Sequence, residues 1–137
     1  MPFVLDSSVA LAWVMPDEGN PDVDLLCDRL THDAAVVPPI WPLEIGNVLL
    51  VAKRRGRMTH DDMDRLAGEL RALPVELDAV SGKKRALVET LAIAERYGLT
   101  TCDAAYLEHA QRRALPLATL DSRLRGACRA HGVAVLP

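Results

Sequence analysis

The sequence predicts a single α/β domain over residues 1–137, with a five-stranded parallel sheet and helices on both faces. Short apolar runs alternate with segments of helical periodicity along the chain, which is typical of a parallel sheet with helical crossovers. The length of 137 residues suits one domain with one core. Hydrophobic residues make up 50% of the chain but include only two Trp, two Tyr and one Phe, so we expect a core of Ala, Leu and Val.

The first half of the chain alternates strands and helices. Capping residues follow the first apolar run directly at Asp6-Ser7-Ser8, so a helix is expected to begin there. Pro42 near the first turn and Gly56 after the last turn delimit a third helix. The predicted elements are strand 3–5, helix 9–14, helix 23–30, strand 34–37 and helix 45–52.

The second half continues the alternation. Thr59 and Asp62 resemble a capping box at the start of one helix, and Gly98 ends a wide apolar helical face. The predicted elements are helix 63–70, strand 75–77, helix 86–97, helix 103–113, strand 117–120, helix 122–130 and strand 133–136.

Charge is distributed unevenly between the two halves. The chain has 16 Lys and Arg against 19 Asp and Glu, a net charge of −3. Residues 1–52 carry eight acids and one base (−7), and residues 53–137 carry eleven acids and fifteen bases (+4). The total excludes nucleic-acid binding by bulk positive charge alone. The asymmetry suits an acidic site with a basic surround, and chance distribution on the surface explains it equally well.

Cysteine usage and hydropathy predict a cytoplasmic protein. The three cysteines cannot all pair, which favours a reducing compartment. The most apolar window, 34–51, is interrupted by Pro38, Pro39, Pro42 and Glu44, so no membrane association is expected. The N-terminus lacks a basic segment and begins with a strand, so no signal peptide is expected.

Four acids stand out by their placement next to predicted strands and helix starts. Asp6 and Asp121 follow strands, Glu44 lies in a first helical turn, and Asp103 heads another helix. Taken singly, each Asp is best explained as a helix cap, and Glu44 as a complement to the helix dipole. Together at one sheet edge they would repel by roughly 3 kcal/mol per pair, which a marginally stable fold does not keep without a function.

The chemistry of this acid set points to a divalent metal. Carboxylate oxygens without His or Cys suit Mg²⁺, with Mn²⁺ as an alternative, and such ions bridge carboxylates to phosphates. A phosphodiester is therefore the natural substrate. Hydrolysis would use a metal-bound water of lowered pKa, with one or two ions.

Four segments in order give the chain a family resemblance. They are FVLDSSVALAW, PLEIGNVLLVAKRRG, LAIAERYGLTTCDAAYLEHAQ and LATLDSRL. Together they resemble the PIN-domain ribonucleases, and most of all the VapC toxins of toxin–antitoxin pairs. The resemblance covers nearly the whole chain. It implies an endoribonuclease that leaves 5′-phosphate and 3′-hydroxyl ends, is inhibited by a small antitoxin, and forms a homodimer.

The resemblance assigns roles to individual residues. Asp6, Glu44, Asp103 and Asp121 match the catalytic acids; of these the three Asp would ligate the metal directly, while Glu44 would act through water or orient the nucleophile. The hydroxyls that support the site in the family match Ser7 and Thr119 of the Thr119-Leu120-Asp121 element. One departure is Cys102, where family members often carry an aromatic residue.

Further polar residues have weaker assignments. Asn47 shares a helix face with Glu44 and would contact a carboxylate or the substrate, or simply be a polar edge position. Lys83-Lys84-Arg85 opens a helix, where cations oppose the dipole, so RNA phosphate contact is a candidate role. The four histidines show no metal-ligand spacing and are expected at the surface. Trp13 and Trp41 are expected to pack in the core or in a dimer rather than to stack on a base.

Two alternative functions come from other classes. A signalling receiver would use Asp78 as phosphoacceptor, although the sequence lacks the acidic pair after the first strand and a Lys after the last strand. A non-catalytic module binding RNA or protein is the second alternative. For an inhibitory partner, an Arg inserted among the four acids is the expected contact, because guanidinium groups bind carboxylates bidentately.

Overall fold

Five short strands form one parallel sheet in the computed structural model, which describes residues 1–15, 17–80 and 82–137. The strands are β1 (Phe3–Leu5), β2 (Ala35–Val37), β3 (Val75–Leu77), β4 (Leu117–Ala118) and β5 (Val135–Leu136). Their order in the sheet is β3-β2-β1-β4-β5, and every neighbouring pair is parallel. The predicted parallel sheet is confirmed.

Helices make all the connections between these strands. Lys83 to Tyr97 is one helical stretch in which the π-helical segment Ala86–Thr90 joins α5 to α6. The helices are α1 (Ser7–Val14), α2 (Pro21–Arg29), α3 (Trp41–Arg54), α4 (His60–Arg71), α5 (Lys83–Arg85), α6 (Leu91–Tyr97), α7 (Thr101–Arg113) and α8 (Ser122–Ala130).

The helices form two groups, as the strand order requires. Right-handed crossovers from β1 to β2 and from β2 to β3 place their helices on one face, and the later crossovers, in the opposite direction, use the other face. Accordingly α1 packs against α2, α3 and α4, whereas α7 packs against α6, α8, β1 and β4. The reversal of strand order lies between β1 and β4.

Several local sequence signals are confirmed. Thr59 and Asp62 form a reciprocal capping box at the start of α4, and Gly98 ends α6 with a left-handed φ of 64°. The last two strands are shorter than predicted, for identifiable reasons. Beyond Ala118 the chain turns, so that the Leu120 amide donates to the Ser8 hydroxyl. Before β5, the Val133 amide bonds to the end of α8 instead of to the sheet.

The core lies around the central strand, whose residues Phe3–Leu5 are fully buried. Its members are mostly Val, Leu and Ala, as the composition predicts. The apolar face expected over 86–97 is only partly buried: Ile93 and Ala94 lie inside, but Leu87 and Leu91 are exposed. The face is broader than its packing against α7 can cover.

A buried charge network joins the end of β3 to α7. Arg112 bonds both carboxylate oxygens of Asp78 and also Glu108 at 2.9 Å from Nε, while Arg85 reaches Glu108 at 3.3 Å. Burial raises the pKa of Asp78, but the Arg112 and backbone hydrogen bonds outweigh it and the pKa is lowered. A buried carboxylate engaged by arginine is a structural ion pair, so the receiver alternative is not supported.

The expected surface location is wrong for His109. Its side chain is fully buried, and neither ring nitrogen has a hydrogen-bond partner among the described residues. Burial lowers the pKa of His109, so a neutral ring is favoured there. The sequence did not reveal this burial, because Glu108 and Arg112 close to it on α7 are charged, as is typical of an exposed helix face. Trp41 is buried as expected, and among the described residues every helix is too short or too polar to cross a bilayer.

Candidate active site

The four acids singled out from the sequence lie at one edge of the sheet. Asp6 directly follows β1, and Asp121 follows β4 and begins α8. Glu44 lies in the first turn of α3, after β2, and Asp103 lies in the first turn of α7. Strands β2, β1 and β4 are parallel neighbours, so their carboxyl ends meet where the strand order reverses.

The acids influence one another's pKa values. Burial raises the pKa of Asp6, hydrogen bonds from Ser8 and Thr119 lower it, and the charge of Asp121 raises it again. The net effect is a raised pKa. Burial raises the pKa of Glu44, and the charges of Asp6 and Asp103 raise it further. Burial also raises the pKa of Asp103, with added repulsion from Asp121 and Asp6. The acids therefore share one field of like charge.

Hydroxyl groups hold the Asp6 carboxylate in place. Ser8 and Thr119 each donate to Oδ2 at 2.7 Å, and Ser7 lies 3.4 Å from Oδ1. Ser7 and Thr119 were expected to support the site, whereas Ser8 was missed. The signal for Ser8 was its position two residues after Asp6, from which a hydroxyl can reach back to that carboxylate. Asp6 is buried and makes no side-chain cap bond, so the capping explanation fails for it.

A tyrosine holds Glu44. The hydroxyl of Tyr106 donates to Glu44 Oε1, and the tyrosine side chain is fully buried on α7. Burial and the neighbouring carboxylates raise the pKa of Tyr106 far above its usual value, so the phenol stays protonated. Sequence reasoning missed this residue. Its signal was the spacing of three from Asp103, which places both side chains on one face of a helix.

The remaining two acids differ in their helix-end roles. One oxygen of Asp121, Oδ1, accepts from the amides of Arg123 and Leu124, so this residue caps α8. Asp103 is not the cap of α7, because Thr100 precedes the helix and accepts from the Asp103 amide. Within the described residues, Asp121 Oδ2 has no hydrogen-bond partner, and the Asp103 carboxylate has only the Thr100 hydroxyl as a side-chain donor. These oxygens remain available to a ligand.

The other predicted contact residues are mostly exposed. Asn47 is exposed, and its side chain has no hydrogen-bond partner in residues 1–15, 17–80 and 82–137. Lys83 and Lys84 are exposed, while Arg85 is engaged by Glu108. Only the two lysines of that triplet thus remain unpaired in the described part of the chain.

The chemistry of the site fits a hard divalent cation. Its donors are carboxylate oxygens, and Asp6 and Glu44 are held by neutral hydroxyls rather than by cations. In the part of the chain that the structure describes, no three acidic, Cys or His side chains already converge to hold an ion. Ion binding would therefore require rotation of the partly exposed acids toward Asp6.

An apolar groove adjoins the acids. It has a volume of about 490 Å³ and lies between the start of α3 and the α5–α6 stretch. Leu43, Leu87 and Leu91 on its wall are exposed, and Cys102 lies at the end nearest Asp103. Burial raises the pKa of the Cys102 thiol, and the charges of Glu44 and Asp103 raise it further, so this thiol stays protonated.

Comparison with known families identifies the fold. The profile of the PIN domain matches residues 3–130, which includes all four acids. This chain belongs to the PIN domain family. PIN domains are generally nucleases and usually use divalent metals. No curated protein sequence matches the chain.

Solved structures share this PIN fold over most of the chain. PAE2754 from Pyrobaculum aerophilum has a TM-score of 0.72 at 22% identity, over 98% of this chain and 83% of the other. VapBC2 from Rickettsia felis, bound to a promoter DNA fragment, has a TM-score of 0.66 at 13% identity, over 98% and 97%. A toxin–antitoxin complex from Klebsiella pneumoniae has a TM-score of 0.59 at 17% identity, over 88% of this chain and 87% of the other. At these sequence identities, the likeness is evidence for a shared fold alone.

Neutralising Asp103 is expected to stabilise the metal-free protein. Because the folded pKa of Asp103 is raised, the contribution of this group to stability is most favourable at low pH and is lost as pH rises above about 3.8. Asp103→Asn should raise the free energy of unfolding at neutral pH by about 0.5–1 kcal/mol, after screening at a partly exposed site. It should also weaken the pH dependence. Urea unfolding in EDTA at several pH values measures both.

Glu95→Gln is the matched control, since Glu95 is exposed on α6 and its charge is not one of those that act on Asp103. It should change stability by less than the Asp103 variant. A fall in stability for Asp103→Asn would mean that attraction to the α7 dipole outweighs repulsion from the other acids.

Proposed function

We propose that this PIN domain is a metal-dependent endoribonuclease, the toxin of a type II toxin–antitoxin pair, acting as one nuclease domain over 1–137. The observation that carries the proposal is the placement of Asp6, Glu44, Asp103 and Asp121 next to the strand reversal, on the elements that begin or end there. The continuous buried core supports a single domain. The three free cysteines fit the reducing cytoplasm.

The proposed metal is Mg²⁺, with Mn²⁺ as a substitute, and the proposed ligands are Asp6, Asp103 and Asp121. A bound divalent ion would supply a water of lowered pKa and neutralise charge on the phosphate. Asp6, fixed by hydroxyls, provides the rigid ligand, while the partly exposed Asp103 and Asp121 adjust to it. Glu44 has a raised pKa and an unbonded Oε2, which suit acceptance of a proton from the attacking water.

The proposed substrate is RNA, cleaved internally to leave 5′-phosphate and 3′-hydroxyl ends. Exposed Lys83 and Lys84 provide unpaired positive charge for phosphate contacts. Exposed Asn47 lies on the helix that carries Glu44, from which an amide can donate to a substrate oxygen. Arg85 contributes indirectly, because its pairing with Glu108 fixes the start of this helical stretch.

The proposed protein partner is a small antitoxin that inserts an arginine among the acids. One of the similar folds belongs to a toxin–antitoxin complex, which supports a partner of this kind. Asp6 already accepts hydroxyl donors at Oδ2, so Asp103 and Asp121 offer the more accessible carboxylate oxygens. A guanidinium there would take the place of the metal.

The proposed oligomer is a homodimer formed through the apolar groove. Its exposed wall residues come from α3 and from the α5–α6 stretch, where Leu87 is 63% exposed. Contiguous exposed apolar side chains favour a protein interface. Because the groove adjoins the acids, pairing of two copies through it would bring the acids of each copy close to the dimer interface.

Cleavage of RNA by the purified protein should require Mg²⁺ or Mn²⁺ and should stop in EDTA. Asp6→Asn should lower the cleavage rate at least a hundredfold, because the central ligand loses its charge while the hydroxyl contacts can be kept. Gel assays on structured RNA measure this. Asp61→Asn, at an exposed position on α4, is the control and should cleave normally. Full activity in EDTA would contradict the proposal, and binding without cleavage would favour the non-catalytic module.

Removing charge from the accessible acids should weaken the antitoxin. Asp103→Asn combined with Asp121→Asn should lower affinity at least tenfold for the product of the adjacent reading frame, because each lost carboxylate removes a charge-assisted bond. Calorimetry at fixed salt measures the affinity. The pair Asp61→Asn with Asp64→Asn, on α4, removes the same charge away from the site. Equal affinity for the site variant would place the main contact elsewhere.

Disrupting the apolar groove should separate the dimer. Leu87→Arg places a charge in the proposed interface, so sedimentation should show a monomer where the wild type is a dimer. Leu25→Arg is the matched control, because Leu25 is similarly exposed, at 65%, but lies on α2. A wild-type monomer, or a dimer that Leu87→Arg leaves intact, would contradict this interface.

A further inference from the structure

We infer that Tyr106 is a positioning residue for the nuclease site, which holds Glu44 in the orientation that the reaction needs. This inference rests on the proposed metal-dependent function. The observation behind it does not depend on the pattern of acids in the sequence. The fully buried phenol of Tyr106 on α7 donates its only hydroxyl proton to Oε1 of Glu44 on α3.

The bond fixes one oxygen of Glu44 and leaves the other available. Oε1 accepts from Tyr106, and Oε2 has no hydrogen-bond partner among the described residues. Without the phenol, repulsion from Asp6 and Asp103 would favour rotation of Glu44 away from the site and toward solvent, since its side chain is only partly buried. The tyrosine therefore opposes the repulsion that the acid cluster creates.

The donor is neutral and rigid, which suits this role. A phenol has a single O–H donor, and the ring of Tyr106 is enclosed in the core, so the hydroxyl cannot follow Glu44 if the carboxylate rotates. Because its pKa lies far above neutrality, Tyr106 remains a donor across the working pH range. It holds the carboxylate without adding a positive charge that would compete with a metal.

Ser7 extends this arrangement to the central acid. Its hydroxyl lies 3.4 Å from Asp6 Oδ1, and its hydrogen bonding also lowers the pKa of Tyr106, which places it beside the phenol. The phenol and the serine hydroxyl thus link Glu44 to Asp6. Tyr106 and Ser7 therefore lie between Asp6, which follows β1, and Glu44 on α3.

The test compares Tyr106→Phe with Tyr97→Phe. Each change deletes one hydroxyl and keeps the ring, but Tyr97, at the end of α6, bonds His131 rather than one of the acids. Calorimetric Mn²⁺ affinity should fall about tenfold for Tyr106→Phe and stay within twofold for Tyr97→Phe. In RNA cleavage, kcat should fall about tenfold for Tyr106→Phe while KM changes little.

A double variant with Glu44 provides the decisive measurement. In a Glu44→Gln background, Tyr106→Phe should cause no further loss of Mn²⁺ affinity or kcat, because its effect acts through that carboxylate. If both tyrosine variants only lower the melting temperature, with wild-type Mn²⁺ affinity and kcat, Tyr106 is a core residue and the inference fails alone. If the wild-type protein binds no Mn²⁺ and cleaves no RNA, the proposed function fails and this inference falls with it.

Discussion

Repulsion among four carboxylates at the carboxyl ends of β2, β1 and β4 is the constraint on which this site depends. The fold keeps Asp6 buried and coupled to its acidic neighbours by surrounding it with hydroxyl donors. Hydroxyls lower the cost of ionisation without neutralising the charge. Burial and the neighbouring acids still raise the pKa of Asp6, so a cation or guanidinium bound at the site would stabilise the ionised form and the fold with it.

The second buried group of acids shows the opposite solution. Asp78 and Glu108 are neutralised by Arg112, and Arg85 adds a further contact to Glu108. Both groups of acids involve α7. Its first half carries Asp103 and the hydroxyl donor Tyr106, and its second half carries the ion-paired Glu108 and Arg112. The arginines thus attach the second half of the helix to the end of β3 and to α5, while Asp103 at its other end is partly exposed.

The order of elements and the grouping of the acids were predictable because both depend on local patterns. Apolar periodicity located the strands, and parallel crossovers then required Asp6 and Asp121 to meet at the same edge. What the sequence did not reveal depends on tertiary contacts. Tyr106 looked like any apolar core position, and His109, among charged neighbours, looked exposed. Leu87 and Leu91 looked buried, because periodicity identifies an apolar face but not whether anything covers it.

The choice of donor distinguishes the four-acid site from the Asp78 ion pair. An Arg or Lys in place of Tyr106 would hold Glu44 more strongly, but it would cancel one of the charges that attract a divalent cation. Arg112 does this at Asp78, where a closed structural contact results. At Glu44 and Asp6 the donors are all neutral. Neutral donors leave the carboxylates oriented and charged, and that combination is what a hard cation requires of its ligands.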